Sequence, residues 1–324
     1  MISRLISQGG LRFMSASAGK RVGFIGMGNM GLPMATNLAK AGFHVKGFDK
    51  SLADESKLKA VKDAGIVPQA NVSSTCKEVD YIVTSLPATQ NVEEVLMADD
   101  GILNSASEGT VICDVSTISP IASGEFADAA RKKGMTFVDS PMSGGVAGAT
   151  AGTLTFMVGS HSEEEFEAAS VVLAAMGKKI FNCGKPGTGE VAKIVNNMIL
   201  GTHMTAVAEG MALGEKLGID PKKLQEILSV STGACWANNV NNPRPGVLEN
   251  APSSRNYEGG FMLALMRKDM TLALELVEKV NGSAEMAEKS MAYYLELEKK
   301  GHGGKDFGYV YQYISKNKKL NGKH

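Results

Sequence analysis

A chain of 324 residues, at roughly 100–200 residues per domain, has room for two domains and for cores that need no disulfide or metal staples. Its 34 Lys and Arg balance 34 Asp and Glu, which excludes the basic footprint of a nucleic-acid binder and the acidic surplus of a disordered tail. Four scattered cysteines, five histidines without ligand spacing and no apolar run near the ~20 residues of a membrane helix speak against a disulfide scaffold, a metal site and a membrane span.

The first nineteen residues carry Arg4, Arg12, four serines and no acid, and Asp49 is the first acidic residue of the chain. That composition predicts a mitochondrial transit segment over residues 1–19 and a location in the matrix. From Arg21 the pattern is strand (Val22–Ile25), glycine turn, helix (Leu32–Ala41) and a second strand (Val45–Phe48) ending at Asp49. Strands are predicted at Tyr81–Leu86, Thr110–Asp114, Thr136–Asp139, Thr153–Val158 and Ile180–Cys183. Helices at Val92–Met97, Ile121–Lys133 and Glu163–Met176 lie between them. Alternating strands and helices predict a doubly wound parallel α/β sheet. After Gly184 the prediction is helical throughout: Gly189–Leu217, Pro221–Val230, Met262–Val280, Ala284–Glu298 and Asp306–Lys316. The division is therefore a nucleotide-binding α/β domain over residues 20–186 and an all-α domain over 187–324, with Gly184, Gly187 and Gly189 around Pro186 as the turn between them. The 18 methionines, including those of the Met262–Met270 stretch, read as core packing.

Three motifs carry chemistry. Gly26-x-Gly28-x-x-Gly31 follows a strand, opens a helix and precedes Asp49 by 18 residues from its last glycine, the context of a dinucleotide-binding turn. The glycines let backbone N–H groups reach a pyrophosphate at a helix N-terminus, and Asp49 suits ribose hydroxyls while repelling a 2′-phosphate, so the expected cofactor is NAD. Ser143-Gly144-Gly145, in a loop after the strand ending at Asp139, forms a nest of N–H groups suited to a carboxylate. Lys193, Asn196 and Asn197 share one face of a helix whose other residues are apolar nearly all round, which predicts a buried helix with a polar patch. Burial moves an ammonium toward the range where a general base works.

With these motifs in view the chain resembles the β-hydroxyacid dehydrogenases over residues 21–316. The resemblance rests on four ordered blocks: Gly-Phe-Ile-Gly26-Met-Gly28-Asn-Met-Gly31, Asp139-Ser-Pro-Met-Ser143-Gly144-Gly145, Gly187-Thr-Gly-Glu-Val-Ala-Lys193-Ile-Val-Asn196-Asn197 and Lys268-Asp269. Cys235-Trp236 and Asn242-Pro-Arg-Pro-Gly246 are similar to the hydroxyisobutyrate branch of that family. The resemblance implies a Rossmann-type domain followed by an all-α domain. The implied reaction is NAD-dependent oxidation of 3-hydroxyisobutyrate to methylmalonate semialdehyde, a step of valine breakdown. Lys193 is implied as the catalytic residue, Asn197 as a catalytic and substrate-positioning one, and Ser143, Gly144 and Gly145 as the carboxylate site. Gly26, Met27, Gly28, Asn29, Met30, Gly31, Asp49, Leu86, Pro87, Asn91, Thr117 and Lys268 are implied at the cofactor, with Asp269 orienting Lys268. Whether Asn196 or Asn197 meets the substrate stays open here. So do two other functions, an NADPH-dependent reductase of glyoxylate, succinic or tartronate semialdehyde and a non-catalytic dinucleotide-binding scaffold. The partners implied are a small β-hydroxy acid and further copies of the chain, as a homodimer or homotetramer, with no nucleic acid or membrane.

Overall fold

A computed structural model describes residues 19–316; the transit-type segment lies outside the described residues except for Gly19. Contacts divide the chain into one unit ending at Lys193 and a second beginning at Ile194.

The first unit is built on a nine-stranded sheet: β1 (Arg21–Ile25), β2 (His44–Phe48), β3 (Val67–Pro68), β4 (Tyr81–Thr84), β5 (Val111–Asp114), β6 (Thr136–Asp139), β7 (Met142–Ser143), β8 (Leu154–Gly159) and β9 (Gly177–Gly184). The order is β3-β2-β1-β4-β5-β6-β8-β7, with β9 on β8. Strands β1 to β6 pair in parallel. Their residues alternate between two cores: Tyr81 and Val83 of β4 and Val111 and Cys113 of β5 pack in one, Ile82 and Ile112 in the other. Burial on both faces is why these strands read as unbroken apolar runs.

The helices of this unit are α1 (Gly31–Lys40), α2 (Glu55–Asp63), α3 (Val72–Cys76), α4 (Thr89–Met97), α5 (Ile102–Ser105), α6 (Pro120–Lys132), α7 (Gly145–Ala151) and α8 (Glu163–Leu173). Pro120 follows the Ser119 cap of α6, and Ser162 caps α8 with three glutamates in its first turn, each placed where a helix start favours it. The sheet departs from the parallel arrangement predicted for it at β8, which runs antiparallel to β6 and β7. A seven-residue helix such as α7 spans only ~10 Å, too short to carry the chain back along the sheet. The chain therefore re-enters from the edge it has just left. The segment read as a loop around Ser143 is thus a two-residue strand, Met142 opposite Phe156 and Ser143 opposite Thr155, running through Gly144 into α7.

The second unit is helical. Helix α9 (Thr188–Lys216) crosses the division, and α10 (Pro221–Val230), α11 (Trp236–Asn239), α12 (Leu263–Lys279), α13 (Glu285–Lys299) and α14 (Val310–Lys316) follow. Asp220 caps α10 through the Lys223 N–H, with Pro221 at its first position. Met204, Met211, Met266 and Met270 sit in a core with Leu263, Tyr294 and Phe307, so the methionines serve as packing. Among the described residues no helix is long and apolar enough to cross a membrane.

Candidate active site

The strand order reverses beside β1, where the chain goes outward to β2 and returns to β4; in open α/β sheets ligands bind at the carboxyl ends of such strands. The glycine turn leaves β1 at this edge. A Cβ on Gly31 would stand 1.9 Å from the Gly26 carbonyl oxygen, so only glycine lets α1 approach the turn, whereas a Cβ on Gly28 meets nothing within 4 Å. The open position is where a pyrophosphate can come against the backbone. Gly28 and Asn29 are exposed, Met30 is half-buried, and Met27 is buried.

Asp49, at the end of β2, accepts the Met27 N–H at 2.7 Å through Oδ2 and the Ser51 N–H and hydroxyl through Oδ1. Partial burial pushes its carboxyl up, but the Ser51 and Met27 hydrogen bonds outweigh that and hold it below the ordinary range. Beside it lies a cavity of about 440 Å³ lined by Phe48, Asp49, Leu52, Leu58, Pro68 and Gln69 among others. An apolar wall with a carboxylate at its rim fits the adenosine half of a nicotinamide dinucleotide. Leu52, Leu58 and Gln69 carry no sequence signal, because only the fold brings α2 and β3 to that spot.

Leu86 and Pro87 follow β4, Asn91 lies in the first turn of α4, and Thr117 follows β5. The loops after β4 and β5 are tied by a residue the sequence did not single out. Asp114, fully buried at the end of β5, accepts the Thr84 hydroxyl at 2.8 Å and the Ser116 hydroxyl at 2.6 Å, and Ser116 Oγ accepts the Leu86 N–H. Burial raises the Asp114 carboxyl to about 6, against the pull of these bonds. Gly144 and Gly145 have φ of +138° and +61°, so the Ser143–Gly145 turn is one that other residues enter only with strain.

On α9 the structure separates the two asparagines. Lys193 is 9% exposed and Asn197 1%, while Asn196 is exposed and donates to Asn197 Oδ1 at 3.0 Å. Asn197 Nδ2 donates to Asp269 Oδ2 at 2.6 Å, and Lys268 Nζ lies 3.1 Å from Asp269 Oδ1 on α12. The helix is less buried than its composition suggests. Val191, Val195, Ile199 and Leu213 are exposed apolar residues on one side of α9. The Asn242–Gly246 block is a structural tie: Arg244 pairs with Glu215 of α9, which also accepts the Tyr311 hydroxyl.

Residues 21–184 match the family described as the NAD-binding domain of 6-phosphogluconate dehydrogenase, and residues 187–314 the one described as NAD-binding of NADP-dependent 3-hydroxyisobutyrate dehydrogenase. A Dictyostelium discoideum protein named "Probable 3-hydroxyisobutyrate dehydrogenase, mitochondrial" is 45% identical, covering 95% of this chain and 94% of its own. The chain belongs to the 3-hydroxyisobutyrate dehydrogenase family. It is accordingly a β-hydroxyacid dehydrogenase that uses a nicotinamide dinucleotide, and the scaffold alternative falls away. The family's solved structures share the fold: a Mycobacterium tuberculosis 3-hydroxyisobutyrate dehydrogenase with L-serine superposes with a TM-score of 0.83 at 34% identity, over 91% of this chain and 99% of the other. An NAD-dependent L-serine dehydrogenase of Pseudomonas aeruginosa is 43% identical over 90% of this chain and 96% of its own.

Proposed function

We propose that this dehydrogenase oxidises 3-hydroxyisobutyrate to methylmalonate semialdehyde with NAD, and that Lys193 takes the hydroxyl proton. The observation that carries this is the burial of Lys193 on the family's third block, four residues before the buried Asn197 on the same helix. The Ser143–Gly145 turn would bind the substrate carboxylate. Asn197 would present to the hydroxyl the amide hydrogen that Asp269 does not take, since the acceptor at Oδ2 fixes which end of the amide faces it. NAD, when bound, supplies the hydride acceptor. Lys193 enters as the amine and leaves as the ammonium, so the O–H bond breaks as the carbonyl forms. Gly26 to Gly31, Leu86, Pro87, Asn91, Thr117 and Lys268 would hold the cofactor. Asp49 favours NAD, because a carboxylate beside a 2′-phosphate is repelled and gains no hydrogen bond from it.

L-serine is the second reading, favoured by the Pseudomonas relative's name and the ligand in the mycobacterial structure. It shares the β-hydroxy carboxylate and differs by an ammonium in place of a methyl group. Rates with 3-hydroxyisobutyrate, L-serine and the semialdehydes, each with both cofactors, separate the readings; a marked preference for NADPH and a semialdehyde would favour the reductase. Lys193→Ala should lower kcat by about 10²–10⁴-fold while NAD still binds, as loss of a general base does. Lys193→Arg should fail as well, because a guanidinium keeps its proton. An alanine variant that keeps more than about a tenth of wild-type kcat would remove Lys193 from the role and make Lys268 the next to test.

The exposed Val191, Val195 and Ile199 stripe supports a homo-oligomer, since contiguous apolar surface of this kind marks protein contacts. The acid-free, arginine-containing leader and the name of the Dictyostelium relative support a mitochondrial location.

A further inference from the structure

Helix α9 begins with a group of backbone N–H donors that need partners, as every helix does. Here the partner comes from across the sheet. Asp139 is fully buried at the end of β6; its Oδ1 accepts the Gly187 N–H at 2.7 Å and its Oδ2 the Glu190 N–H at 2.9 Å. A buried carboxylate at a helix start meets both the free donors and the positive end of the helix dipole.

The surroundings are shaped for this contact. A Cβ on Gly159 would stand 2.4 Å from Asp139 Oδ1, and one on Gly189 would stand 2.7 Å from Oδ2 and 2.3 Å from the Met157 carbonyl oxygen. Two glycines from separate segments thus leave the room that the carboxylate occupies. The strand end is fixed in turn, because the Ser140 N–H and hydroxyl both donate to the Asp114 carbonyl oxygen. Asp139 is also the residue from which the chain departs toward Ser143, Gly144 and Gly145. One side chain therefore sits where the path to the carboxylate turn begins and holds the first turn of the helix that bears Lys193 three residues after Glu190.

We propose that Asp139 is a positioning residue for Lys193: by holding the Gly187 and Glu190 N–H groups it sets the axial and rotational position of the first turns of α9, and so where the amine stands. This rests on the reading of Lys193 as the base. It gives the Gly187-Thr-Gly189-Glu190 stretch a purpose beyond a turn between domains, since Gly189 is required for the close approach and Gly187 supplies a donor. Displacing a reacting group by about 1 Å can cost on the order of 10²-fold in rate, so a small shift of this helix start is enough to be measured.

Asp139→Asn keeps the shape but exchanges one acceptor for an N–H₂ that faces a backbone donor. We expect kcat to fall by about 10–100-fold while the KM for NAD changes little. Gly189→Ala, which presses on the same carboxylate and on the Met157 carbonyl oxygen from the helix side, should give the same separation of kcat from KM. The deciding measurement is the double-mutant cycle: in a Lys193→Ala background, Asp139→Asn should cause no further loss of the residual turnover. Wild-type kcat in Asp139→Asn, or the same fold-loss in both backgrounds, overturns the proposal while leaving Lys193 as the base. A Lys193→Ala enzyme that keeps its turnover overturns the reading of Lys193 and the proposal together. If Asp139→Asn fails to fold, Asp139→Ser, which removes the carboxylate without adding an atom that the site must accommodate, carries the same cycle with the same criteria.

Discussion

Asp49 has two tasks to divide between two oxygens. One already holds the Met27 N–H, fixing the glycine turn; the other holds Ser51. A ribose bound here would share an acceptor that the protein itself uses. Asp49→Ser should therefore raise the KM for NAD by about 10–100-fold, the worth of a hydrogen bond to a charged group, and narrow the preference over NADP. Ratios of kcat/KM for the two cofactors check this, and an unchanged ratio would show that Asp49 does not read the ribose. The place of Asp49 beside the glycine turn was legible in the sequence, because it closes the strand that follows the helix the turn opens. Asp114 and Asp139 were not legible in the same way. Each stood in the open as the last residue of a predicted strand, but what a buried carboxylate does depends on donors that other segments bring to it: Thr84 and Ser116 for one, Gly187 and Glu190 for the other.

Among the elements, those with an unbroken apolar run or a periodic apolar face could be read from the sequence, and those defined by their neighbours could not. The strands β4 to β6 and the helices α9, α10, α12 and α13 lie within a few residues of their predicted ends. The strand β7 and the Gly- and Ala-rich α7 have no such signature, and the direction of β8 follows from the length of α7 rather than from the residues of β8 itself. In the helical unit, Asp306 ties three segments that the sequence leaves unconnected. It accepts the Asn241 Nδ2 and Gly308 N–H on one oxygen and the Phe261 N–H on the other. Burial outweighs these bonds and raises its carboxyl from 3.8 to about 6. Between those values the folded chain holds a proton that the unfolded chain has lost. Its contribution to stability is thus complete below about pH 3.8 and is lost as the pH rises through about 6. Asp306→Asn removes that titration. The stability difference between wild type and variant, from urea unfolding at pH 4 and pH 7, should move against the wild type by about 2–3 kcal/mol on going to pH 7. A difference independent of pH would show that Asp306 titrates normally.

For the whole molecule, the segment 1–19, read as a transit peptide, is the part with a composition unlike the rest. Its removal on import is expected to leave a mature chain starting close to Lys20, one residue before β1. N-terminal sequencing of C-terminally tagged protein from isolated mitochondria checks this, and a cytosolic protein retaining Met1 or Ile2 would contradict it. The division of the chain at Lys193 and Ile194 falls inside an unbroken helix. For anyone recombining this enzyme with its relatives, that makes the natural unit of exchange different from the compact unit. A crossover placed at the boundary would draw Lys193 from one parent and Asn197 from another. One placed before Gly187 would deliver both from a single parent and instead require the new helix to meet a foreign Asp139. The fitness of such chimeras should therefore depend on whether β6 and the start of α9 share an ancestor more than on where the cores divide.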